Sequence, residues 1–111
     1  MNSNDTQDKL DALRLSYIAT LNDKRSTIKE NWQQLVNQWN PEHFDALYIV
    51  LHGLAGSAET FGLPKITSEA RELVDTLKLL SKSGAPDQTD LSQLDRSINA
   101  FLAHLEMAGG R

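Results

Sequence analysis

The segment NPEHFDALYIVLHGLAGSAETFG, residues 40–62, decides how the rest of the chain is read. It opens on Asn40-Pro41-Glu42. Asparagine is a good helix N-cap, proline suits a first turn that needs no N–H, and an acid favours the positive end of the helix. Phe44, Leu47, Leu51, Leu54, Ala58 and Phe61 then step by 3, 4, 3, 4 and 3, a single apolar stripe at helical spacing. Gly62 follows where a left-handed cap belongs. The pattern predicts a helix from about Pro41 to Phe61.

The same signals recur on either side. From about Asp8 to Gln38, Leu10, Leu13, Tyr17, Leu21, Ile28, Trp32, Leu35 and Trp39 keep helical spacing without Gly or Pro. This reads as one long helix, or two abutting near Asn22-Asp23, with residues 1–5 frayed. Pro64 starts a third helix through about Ser81, with Ile66, Ala70, Leu73, Leu77 and Leu80 inward, and Ser83-Gly84-Ala85-Pro86 ends it. Asp87 or Asp90 caps a fourth, whose stripe Leu91, Leu94, Ile98, Phe101, Leu102 and Leu105 stops before Gly109-Gly110. No segment alternates like a strand. Four amphipathic helices with short connections predict an all-α, antiparallel four-helix bundle, a single domain over residues 1–111.

Composition narrows the chemistry. In 111 residues there are 15 acidic and 11 basic side chains, a formal net charge of −4 and no cysteine. That balance lacks the basic footprint of nucleic-acid or anionic-membrane binding, and it removes disulfides, thiolate nucleophiles and cysteine metal sites. The longest apolar run, Ala46 to Leu51, is too short to span a membrane. The polar start Met1-Asn2-Ser3-Asn4-Asp5 lacks the basic and apolar regions of a signal peptide, so a cytoplasmic location is expected.

Three histidines remain to be weighed. With the stripe of the second helix centred between Leu51 and Leu54, His52 falls roughly 130° from the core direction at 100° per residue. Gly53 lies about 130° away on the other side, and Ile49 and Gly56 about 170°. All four face outward. Gly53 and Gly56 each cost roughly 1 kcal/mol relative to alanine inside a helix, and on the solvent side the packing of the bundle does not explain them. The imidazole therefore stands over a low, partly apolar surface suited to the approach of a second protein. An exposed histidine, with a reference pKa of about 6.5, is mostly neutral at pH 7 and needs no activating base to accept a phosphoryl group. No Gly-rich phosphate loop followed by lysine is present, which describes a carrier and not a kinase. His43, beside Glu42 in a first turn, reads as a solvated surface residue. His104 reads as a last-turn residue that complements the helix dipole. Neither belongs to a metal-ligand spacing. Trp32 and Trp39 read as packing residues.

The run Leu51-His52-Gly53-Leu54-Ala55-Gly56-Ser57, followed by Gly62-Leu63, resembles the signature of the histidine-containing phosphotransfer (HPt) domain family, His-x-x-Lys-Gly-Ser/Ala with a later Gly-Leu. The resemblance extends over nearly the whole chain and implies a four-helix bundle with the phosphoacceptor exposed at mid-helix. It implies His52 as phosphoacceptor, with Ile49, Gly53, Gly56, Ser57 and Glu59 on the docking face for a receiver domain of a response regulator or hybrid sensor kinase. It further implies a monomer with no cofactor of its own, Mg²⁺ being held by the receiver. One position departs from the pattern: Ala55 stands where the family has lysine, so a cation beside the phosphoryl oxygens is missing from this helix. Lys65, Arg71 and Lys78 on the third helix are the candidates to replace it. The departure also motivates an alternative, an adaptor that binds a receiver without phosphotransfer. A small structural or oligomerisation bundle is a third reading, one that gives the outward His-Gly surface no purpose.

Overall fold

The computed structural model describes the backbone of residues 3–109 and the side chains of residues 5–109. Four helices follow one another: α1 (Ser3–Asn37), α2 (Pro41–Thr60), α3 (Pro64–Ser83) and α4 (Gln88–Gly109). Each packs on its two neighbours in a ring, α1 on α2, α2 on α3, α3 on α4 and α4 on α1. The short connections at 38–40, 61–63 and 84–87 reverse the chain each time, giving an antiparallel four-helix bundle.

The helix ends form for local reasons. Asn40 takes extended backbone angles and its Oδ1 accepts the His43 N–H at 2.9 Å, while Pro41 occupies the first turn. At the far end of α2, Leu63 N–H donates to the Ala58 carbonyl at 2.9 Å and Gly62 N–H to the Glu59 carbonyl at 3.2 Å. That double closure requires a left-handed residue, supplied by Gly62 at φ 74°. Asp87, not Asp90, caps α4: its Oδ1 accepts the Asp90 N–H at 2.8 Å. The helix then runs through Gly109, further than the glycine pair suggested.

α1 is a single helix of 35 residues with no break at Asn22-Asp23. It begins well before Asp8. Of the segment expected to fray, residues 3–5 are helical and residues 1–2 lie outside the described residues. At about 1.5 Å per residue α1 is about 50 Å long, against about 30 Å for each of its partners. The surplus overhangs the bundle. Every described side chain from Asp5 to Ser16 is exposed, and the core on α1 begins only at Tyr17. Leu10 and Leu13, assigned to the inward stripe by their spacing, are therefore 55% and 59% exposed. Neither belongs to the buried core formed among the described residues.

Below that point the stripes meet as expected. Leu21, Ile28, Leu35, Leu47, Leu51, Leu54, Leu77, Ile98, Phe101 and Leu105 are fully buried. Trp32 is buried with its indole N–H on Asp95 of α4 at 2.8 Å, and Trp39 meets it edge-on at 6.5 Å. No helix among the described residues is long and apolar enough to cross a membrane.

Candidate functional site

The stripe of α2 is anchored inward through Leu47, Leu51, Leu54 and Ala58, and that anchoring decides which residues are left outside. His52, Gly53 and Gly56 are exposed, and Ile49 is 69% exposed. These are the four positions the helical wheel turned away from the core. A Cβ placed on Gly53 or Gly56 meets nothing within 4 Å, so neither glycine is needed for the bundle's own packing. Their helical cost has no return inside this chain.

The imidazole of His52 does not stand alone. Tyr48, one turn earlier, lies nearly parallel to it at 6.0 Å between ring centres and 24° between planes. Tyr48 in turn stacks on Phe44 at 6.4 Å, and Phe44 meets Trp39 at 5.8 Å. A row of aromatic rings thus runs from the start of α2 to His52 and limits the ring's sideways freedom. The i, i+4 spacing of Phe44, Tyr48 and His52 carries this signal in the sequence, but a reading by stripe and outward face takes in Phe44 and His52 and passes over Tyr48.

On its other side His52 borders a shallow cavity of about 330 Å³. Ala55 and Gly56 complete the α2 wall; Arg71, Val74, Asp75 and Lys78 form the α3 wall. Ala55 is only 8% exposed, at the foot of the groove between the two helices. Arg71 and Lys78 are thus the α3 cations brought to the histidine. Lys65, the third candidate, lines a different cavity with His104 and Met107.

The remaining motif residues have partners within the chain. Ser57 is half-buried, and its hydroxyl lies 2.8 Å from that of Tyr17, whose ring stacks on Phe61 at 4.3 Å. Ser57 therefore ties α2 to α1. Glu59 is exposed and holds Arg71 at 2.6 Å. The other two histidines are structural, and more engaged than their sequence positions indicated. Nδ1 of His43 pairs with Asn31 Oδ1 of α1 at 2.9 Å, so it is half-buried and not a solvated surface residue. His104 pairs with Glu69 of α3 at 2.7 Å, and because α4 continues to Gly109 it does not lie in the last turn.

Chemically, then, the face offers one accessible imidazole, held by an aromatic neighbour, on a low surface with cations along one side. Among the described residues no group of three or more His, Asp or Glu side chains could hold a metal ion. A protein-family model described as Hpt domain matches residues 12–104. No curated protein and no solved structure gives a significant match.

Proposed function

Because the chain belongs to the Hpt domain family, whose members are phosphocarrier modules of two-component phosphorelays that interact with receiver domains, we propose that His52 is its phosphoacceptor. The observation that carries this reading is the exposed imidazole of His52 on the same outward face as Gly53 and Gly56, two glycines that the bundle does not need. In the proposed step a neutral ring nitrogen attacks the phosphorus of a receiver's aspartyl phosphate. The N–P bond forms as the P–O bond breaks, the carboxylate leaves with its electron pair, and the other ring nitrogen releases its proton to solvent. Transfer onward to a second receiver reverses these changes. The receiver supplies the Mg²⁺ and the in-line alignment, and this chain supplies the nucleophile and a docking face built around Ile49, Gly53 and Gly56. On this reading the chain acts as a monomer in the cytoplasm without a nucleotide site of its own.

Incubation with phosphorylated receiver domains tests the proposal. Acid-labile phosphate is expected on the wild-type chain and none on His52→Gln; label that persists in the variant places the phosphate elsewhere. Ala55 supports a second reading, an adaptor that docks a receiver without transfer. Binding that survives His52→Ala, with no transfer from any receiver, would establish the adaptor instead.

A further inference from the structure

A phosphoryl group near neutral pH carries close to two negative charges on three oxygens, and His52, which would carry it, lines the cavity shared with α3. At its foot lies Ala55, whose methyl group adds neither charge nor height. A long side chain from the opposite wall has room to cross above it.

Two cations stand on that wall, seven positions apart and separated along α3 by about 10 Å. They are not equivalent. The guanidinium of Arg71 is engaged by Glu59 at 2.6 Å. Lys78 is exposed and has no ion pair among the described residues, so its ammonium is free to follow an incoming charge on a flexible four-carbon stem. Between them Asp75 adds a carboxylate to the same wall, which opposes a phosphoryl group and sharpens the need for a cation.

We propose that Lys78 of α3 is the counter-ion of the phosphorylated His52, supplying across the α2–α3 groove the charge that Ala55 leaves out of α2. The inference rests on the phosphocarrier reading of His52 and specifies the charge that site uses. Lys78 takes no proton and forms no bond in the step; it stabilises negative charge as the oxygens arrive and as long as they stay. Because the groove is open to solvent, the effect is modest and screened by salt.

The test needs no partner protein. Phosphoramidate phosphorylates an accessible imidazole directly: the ring nitrogen forms the new N–P bond, ammonia leaves with the electrons of the old one, and the ring loses a proton to water. The rate of appearance of the His52 phosphohistidine, and its lifetime after the donor is removed, are followed by ³¹P NMR, with His52→Gln as the blank. Lys78→Ala is expected to form it about threefold to tenfold more slowly, with a shortened lifetime, at unchanged thermal stability. Lys78→Arg should keep most of the rate, Ala55→Lys should restore it in the Lys78→Ala background, and Asp75→Asn should increase it. The Lys78 difference should also shrink in 1 M salt.

A Lys78→Ala chain labelled as fast and holding phosphate as long as wild type overturns the proposal, as does a loss that Ala55→Lys leaves unrestored. Absence of any His52-dependent signal does the same. The phosphocarrier reading fails separately, when phosphorylated receiver domains donate nothing to a wild-type chain that phosphoramidate does label.

Discussion

At residue level the glycines of α2 and of the turn after it divide by backbone angle. Gly53 and Gly56 have ordinary helical angles with open space where a Cβ would lie, whereas Gly62 sits at φ 74°. The same substitution should therefore change sign between the body of α2 and the turn that closes it. Gly53→Ala and Gly56→Ala are each expected to stabilise the chain by about 0.5–1 kcal/mol, and Gly62→Ala to destabilise it by about 1 kcal/mol, read from urea unfolding midpoints. A destabilising Gly56→Ala would mean that this surface is packed after all. Both glycines were visible in the sequence as an unexplained cost, and the structure removes the one internal explanation. Ile49→Glu should leave stability within about 0.5 kcal/mol while weakening receiver binding, because its side chain touches solvent and not the core. Tyr48 is the residue most easily missed. It is half-buried, so its contribution to the stripe and its contact with His52 are superimposed in one periodic signal.

Among the elements, α2 is the one whose limits were most legible, because its start and stop are local chemistry: an Asn40 side chain three residues from the amide it caps, and a left-handed Gly62. Asn40→Ala should cost about 1 kcal/mol, measured by thermal or denaturant unfolding. α1 was less legible. Its apolar spacing continues through Leu10 and Leu13, and periodicity says which face a residue occupies without saying whether a partner lies opposite. Deletion of residues 1–12 is expected to change the unfolding free energy by less than about 1 kcal/mol, since none of the described side chains in it is buried. A large loss of stability would show that the overhang is held by contacts within the chain. α4 illustrates the limit of cap reading: Asp87 and Asp90 were equivalent candidates until the hydrogen bond from Asp90 N–H to Asp87 distinguished them.

For the whole molecule, position in the bundle outweighs residue type. Leu13 and Leu21 are the same residue on one predicted stripe, yet Leu13 is 59% exposed and Leu21 fully buried. Leu21→Ala should cost about 2–5 kcal/mol and Leu13→Ala less than about 0.5 kcal/mol; equal costs would contradict the overhang. The sequence by itself determined that the elements are all helices, the caps of α2 and the outward direction of His52, while the unbroken length of α1 and the choice of Asp87 over Asp90 came from the structure. Each of the first three follows from a rotation of about 100° per residue or from hydrogen bonds spanning a single turn. Only the tertiary structure decided where the core on α1 begins, that His43 and His104 are tied to neighbouring helices, and that Arg71 and Lys78, but not Lys65, share a cavity with His52. Those outcomes depend on how far one helix is shifted along another and how far a long side chain reaches between them. Both are set by the packing of all four helices together, and no single stretch of sequence contains that information.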